Sequence, residues 1–130
     1  MPTEFTVSLA DAPGSLPGLG RVLGDARVNI EAILGLTLER KGHVRFVPND
    51  PAQAAHALDA AGIVYTRRDV LLVRILNEPG TLGEVALVMA RAGVNIDTVY
   101  VTMRGQVVLG VDDLAGATQV AGGMAVMAPE

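Results

Sequence analysis

The sequence predicts an α+β protein built from two ferredoxin-like β-α-β-β-α-β modules, each an antiparallel four-stranded sheet with its helices on one face. Three observations predict it. The chain repeats itself at a fixed spacing, each copy alternates strand and helix periodicities in the same order, and each copy has the length that order needs. Pro13-Gly14-Ser15-Leu16 recurs as Pro79-Gly80-Thr81-Leu82, and Val28-Asn29-Ile30 as Val94-Asn95-Ile96, both 66 residues on. Between 11–31 and 77–97, eight of 21 aligned pairs are identical, well above chance. Charge divides evenly too: residues 1–66 and 67–130 each carry five basic and seven acidic side chains. The modules are therefore expected at 1–67 and 68–130.

Each copy opens on an alternating stretch, Phe5-x-Val7-x-Leu9 and Leu71-x-Val73-x-Ile75, the mark of a strand with one buried face. A Pro-Gly turn follows, and Ser15 or Thr81 stands where a hydroxyl caps a helix. Leu16, Leu19, Val22, Leu23 and Ala26 then mark one helical face, matched by Leu82, Val85, Val88, Met89 and Ala92. Gly93 stops the second of these helices, and Arg27 holds that place in the first. The next strand starts at Val28 or Val94, turns tightly around Lys41-Gly42 or Arg104-Gly105, and returns as His43–Val47 or Gln106–Val111. Aligning these hairpins needs a spacing of 63, so the second is three residues shorter. An alanine-rich helix at about Pro51–Ala61 has a glycine-rich, weaker counterpart at about Leu114–Gly122. A last strand closes each half, Ile63–Thr66 and Ala125–Ala128. Arg67-Arg68-Asp69 joins the halves as a solvated junction, with no Gly/Ser/Pro linker between them.

Composition narrows the function. Half of the 130 residues are apolar and only 18% are charged, which excludes whole-chain disorder. No apolar run reaches the ~18 residues of a membrane span. Net charge is −4 and only four aromatics are present, so neither a basic face nor a stacking platform for nucleic acid exists. The chain has no cysteine, which removes disulfides, thiolate metal sites and a cysteine nucleophile together. His43 and His56 lack partners at ligand spacing, so no metal and no other cofactor is expected. With an acidic residue at position 4 and no basic leader, a cytoplasmic location is the expectation. No Ser/His/Asp set, phosphate-binding glycine motif or paired-carboxylate spacing occurs, so the chain reads as non-catalytic. A module of about 65 residues buries only ~60% of its unfolded surface. The apolar surplus therefore points to a homo-oligomer, a dimer at least.

The repeated residues form a constellation suited to a small zwitterion. Gly14 and Gly80 sit where a strand gives way to a helix, so backbone N–H groups and the positive helix end converge on a carboxylate there. Asp11 or Asn77 lies three residues earlier and accepts from an ammonium group. Asn29 and Asn95 open the second strand of each copy, where they also read simply as partners for turn hydrogen bonds. Leu16, Ile30, Leu82 and Ile96 supply apolar walls.

The pattern D-x-P-G-x-L, followed fifteen residues after its glycine by V-N-I and set in β-α-β-β-α-β order, resembles the ACT domain in two tandem copies spanning essentially the whole chain. The resemblance implies a regulatory, allosteric module that binds an amino acid and controls an enzyme of amino-acid metabolism. It also implies that ligand lies between paired modules, held by the strand-1/helix-1 loop of one and the polar start of strand 2 of its neighbour. By position this nominates Asp11, Gly14, Leu16 and Asn29, with Ile30 as wall, and Asn77, Gly80, Leu82 and Asn95, with Ile96 as wall. Asn is common in the family where Asp11 stands, and the extra charge favours the ammonium end of a ligand. Pro17, Gly18 and Gly20 weaken the first helix, so the two sites are expected to differ. The alternative is a regulatory subunit that docks on an amino-acid biosynthetic enzyme with its ligand sites degenerate.

Overall fold

The computed structural model describes residues 1–122. They fall into two compact units, one of residues Thr3–Arg68 and one of residues 69–122 together with Met1–Pro2.

The N-terminal unit runs β1 (Thr3–Ala10), α1 (Ser15–Asp25), β2 (Ile30–Leu38), β3 (Lys41–Pro48), α2 (Pro51–Ala60) and β4 (Tyr65–Asp69). Its four strands lie in the order β2-β3-β1-β4, with β3 antiparallel to both β1 and β2. Phe5, Val7, Val44 and Phe46 alternate onto one face and pack against Leu19 and Leu23 of α1 and Ala54 and Leu58 of α2. Both helices therefore cover one side of the sheet. Phe5 stacks on its strand partner Phe46 with ring centroids 5.5 Å apart, and meets Tyr65 in a tilted arrangement at 5.3 Å. Three of the chain's four aromatics thus fill one core.

The C-terminal unit runs β5 (Leu71–Arg74), α3 (Thr81–Arg91), β6 (Ile96–Val101), β7 (Gln106–Val111) and α4 (Leu114–Gly122), with strand order β5-β7-β6. Three strands pair here among the described residues, and the fourth expected strand, Ala125–Ala128, lies outside them. The local geometry follows the N-terminal unit closely. Phe5↔Phe46 becomes Leu71↔Leu109, and the irregularity between Ile30 and Ala32 becomes one between Ile96 and Thr98. The nine buried members of each core match one for one, at spacings of 66 up to Val28/Val94 and 63 from Val44/Val107 onward. Each first helix ends alike. Val28 N–H donates to Leu23 O and Arg27 N–H to Gly24 O, while Val94 and Gly93 donate to Met89 and Ala90. Arg27 at φ 59° and Gly93 at φ 76° take the left-handed position this ending needs.

Four sequence expectations need correction. Ser15 and Thr81 do not cap their helices; the caps are Gly14 and Gly80, at φ 95° and 90°, where the backbone must be left-handed. The Thr81 hydroxyl instead donates to Glu78 O at 3.1 Å. The first hairpin turns at Glu39-Arg40, two residues before the expected place, with both φ positive at 52° and 66° as a two-residue loop of this hand requires. Gly42 lies inside β3, where an added Cβ would stand 3.3 Å from the Leu9 carbonyl oxygen, so close strand approach explains this glycine. Leu16 and Leu82 are not core: in the first turns of their helices they are 55% and 45% exposed. Finally, β4 begins at Tyr65 and runs through Arg67-Arg68, so that pair belongs to the strand, with Arg67 exposed and Arg68 half-buried. The reason is a buried carboxylate on the neighbouring strand. Glu4, whose side chain is fully buried, accepts from Arg68 Nε at 3.3 Å and from Arg45 Nη1 at 3.1 Å.

The left-handed caps make a sign test. Nothing lies within 4 Å of a Cβ added at Gly80 or Gly83, so only the backbone distinguishes them. Gly80→Ala is expected to cost about 1–2 kcal/mol for a left-handed non-glycine, whereas Gly83→Ala inside α3 should stabilise by about 1 kcal/mol. Urea denaturation of both variants reads the two signs.

Candidate ligand-binding site

The β1–α1 loop is built the same way twice. Ala12 N–H donates to Ala10 O, Ser15 N–H to Ala12 O and Gly18 N–H to Gly14 O, at 3.0, 3.3 and 3.0 Å. Glu78, Thr81 and Glu84 repeat those bonds to Leu76, Glu78 and Gly80 at 2.9, 3.3 and 3.0 Å. In each copy the left-handed glycine swings the chain from strand into helix. The first-turn N–H groups, which have no partner within the helix, point along its axis.

Around the first loop lies a cleft of about 390 Å³, lined by Asp11, Ser15 and Leu16 from the loop and first turn, and by Ile33, Thr37 and Val44 among others from the sheet. That is within the range of small-molecule sites. Asp11 is the one acidic side chain lining it, and its Oδ1 accepts from the Thr37 hydroxyl at 3.3 Å. The structure therefore brings Asp11 and Leu16 together, with Gly14 at the adjoining cap. Thr37 belongs to the same group and was missed in the sequence, although its position near the end of β2 follows from the hairpin register.

Asn29 and Ile30 lie elsewhere. Thr37 stands eight positions along the chain from Asn29, which precedes β2, roughly 26 Å along a strand, so no small ligand of this unit touches both Asn29 and Asp11. Asn29 N–H donates to Asn49 Oδ1 at 2.9 Å, Asn49 N–H returns to Asn29 O at 2.9 Å, and the Asn29 amide donates to Glu31 Oε2 at 3.3 Å. Asn95 and Asp112 repeat the backbone pair at 2.9 and 3.1 Å. In both copies this polar pair ties the start of the first hairpin strand to the end of the second. Ile30 packs against the N-terminal core.

The second copy differs. Leu82 and Ile96 line a smaller hollow of about 260 Å³ with Val85, Ala86, Val99 and Leu109, all apolar. Asn77 and Gly80 are exposed at its loop and do not line it. A zwitterion finds a charged anchor in the first cleft and none in the second hollow. One further group has a shifted proton affinity. The Tyr65 phenol is held above its ordinary value by desolvation first, then by its hydrogen bond to Asp59 and that carboxylate's charge, with Arg67 pulling the other way. Among the described residues no cluster of His, Asp and Glu could hold a metal, and no helix is long and apolar enough to cross a membrane.

No family model matches the chain, and no curated protein does. Solved structures do. A Bacteroides thetaiotaomicron protein superposes with a TM-score of 0.87 at 23% identity, over 96% of this chain and 89% of that one. The ligand-free regulatory subunit of aspartate kinase from Thermus thermophilus gives 0.70 at 16% identity, over 94% and 91%. The corresponding subunit from Thermus flavus gives 0.63 at 17%, over 94% and 90%. At these identities the likeness is one of fold: the α+β arrangement of helices on antiparallel sheets is shared with these structures.

Proposed function

We propose that this chain is a non-catalytic regulatory protein of two tandem ACT modules, divided near residue 67, that binds a free amino acid at the Asp11 cleft. The observation that carries the reading is the convergence there of one carboxylate, a helix N-terminus and an apolar wall. Asp11 accepts from the ligand ammonium, the first-turn N–H groups of α1 receive its carboxylate, and Leu16, Ile33 and Val44 face its side chain. The separation of Asn29 from Asp11 along β2 means that a polar β2 start beside this cleft has to come from another module. A second copy of the chain is our source for it, which makes the working form at least a dimer. The likeness of fold to aspartate kinase regulatory subunits supports a regulatory role. It also supports the second reading, docking on an amino-acid biosynthetic enzyme, as do the exposed Leu36 and Leu38 on edge strand β2.

A thermal-shift screen of the twenty amino acids separates these. A ligand at about 100 times its Kd adds about 2.7 kcal/mol of stability, a shift of several degrees. Asp11→Ala should weaken the responding ligand by about 1.5–3 kcal/mol, the worth of a charge-assisted hydrogen bond. If no amino acid moves the melting temperature at millimolar concentration, the sensor reading fails and docking leads.

A further inference from the structure

Two glycines line the cleft beside Asp11, and strand register places both on the helix-facing side of the N-terminal sheet. Val7, Val44 and Gly35 form one row across β1, β3 and β2, and Leu9, Gly42 and Thr37 form the next. Val7 and Val44 belong to the core, and Leu9 packs against it. Gly35 and Gly42 add no side chain to that surface, and both border the cleft.

The two glycines have different causes. A Cβ at Gly42 would stand 3.3 Å from the Leu9 carbonyl oxygen, so strand approach keeps glycine there. A Cβ at Gly35 would meet only Val44 Cγ2, at 3.8 Å, which is ordinary contact. Gly35 also lies outside the left-handed region, so its backbone does not call for glycine. Glycine inside a strand weakens it, and it marks places where a ligand comes close. The C-terminal unit shows the other choice. Val101, 66 residues on, pairs with Val107 as Gly35 pairs with Val44. This register therefore accepts a branched side chain, and the apolar hollow of that unit reaches Val99 but not Val101. The unit with a charged anchor is the one that leaves the position empty.

Around Gly35 the walls are Leu9, Leu16, Ile33, Leu36 and Val44, and Asp11 is the one charged side chain of the cleft. With Asp11 on the ligand ammonium, a side-chain carboxylate finds no cation and a second ammonium finds no second anion. Resting on the amino-acid reading of this cleft, we propose that the space over Gly35 is its side-chain pocket. It selects amino acids with a large apolar side chain of about the size of leucine over small, polar and charged ones.

The full chain and its Gly35→Ala and Gly35→Val variants are titrated by calorimetry with leucine, alanine, asparagine, glutamate and lysine. Asparagine has nearly the shape of leucine and so reads polarity alone. The parent should bind leucine about tenfold or more tighter than alanine, because three further carbons leave water. Asparagine, glutamate and lysine should bind more weakly than leucine. Gly35→Ala should weaken leucine severalfold and Gly35→Val about tenfold or more, while alanine changes by less than about twofold. That split separates a filled pocket from a damaged fold, and Asp11→Ala should instead weaken leucine and alanine together. The proposal is overturned if alanine, asparagine, glutamate or lysine binds as tightly as leucine, or if Gly35→Val binds leucine like the parent. Either result leaves Asp11 as an amino-acid anchor. If leucine does not bind at millimolar concentration the pocket is also overturned, and the screen of all twenty amino acids decides whether the anchor falls with it.

Discussion

Phe46→Ala is expected to remove about 3–5 kcal/mol of stability. Phe46 is fully buried, stacks on Phe5 at 5.5 Å, and lies between Leu19, Leu23 and Leu58 from both helices. Truncation deletes a ring and leaves Phe5 with an empty face that rigid strands on either side cannot close. A unit of about 65 residues has only about 3–10 kcal/mol in hand at 0.05–0.15 kcal/mol per residue. The variant should therefore leave the N-terminal unit partly unfolded at room temperature. Phe46→Leu provides the control, because Leu109 occupies the matched place in the other core. It should cost about 1–2 kcal/mol, in line with a partial loss of buried volume. Urea melts monitored by far-UV dichroism give both values, and a midpoint for Phe46→Ala equal to the parent's would remove this ring from the core's support.

Much of this fold was legible because a repeat carries register. Once 66 and 63 are known, pairing Phe5 with Phe46 dictates pairing Leu71 with Leu109, and the buried face of every paired helix follows. What escaped were features set by backbone geometry and not by side-chain preference. Ser15 and Thr81 satisfy the compositional rule for a cap, but the chain arrives with a left-handed glycine at that place, and the Thr81 hydroxyl looks back into the loop. Gly42 attracts the turn to itself, yet the tight loop sits on Glu39 and Arg40 and the glycine serves an inter-strand contact. The candidate site divides along the same line. Asp11, Gly14 and Leu16 are local to one loop and were found together. Thr37 is brought in by the far strand of the hairpin, and Asn29 is carried to its opposite end. The Glu4 ion pairs were hidden for a related reason, since Arg45 and Arg68 stand 41 and 64 residues from Glu4.

Replacing both Arg45 and Arg68 with Gln is expected to destabilise the chain by about 3 kcal/mol. That is the low end for removing cationic partners from a buried charge, because solvent already wets both guanidiniums and can follow them in. The reverse change, Glu4→Met, should cost about 1 kcal/mol or less. It removes the charge that is expensive to bury, fills the space with an apolar chain of similar length, and leaves two arginines that reach water. The asymmetry separates a carboxylate that needs its cations from cations that need their carboxylate. Denaturation of the three chains side by side measures it, and equal losses would mean that Glu4 contributes packing alone.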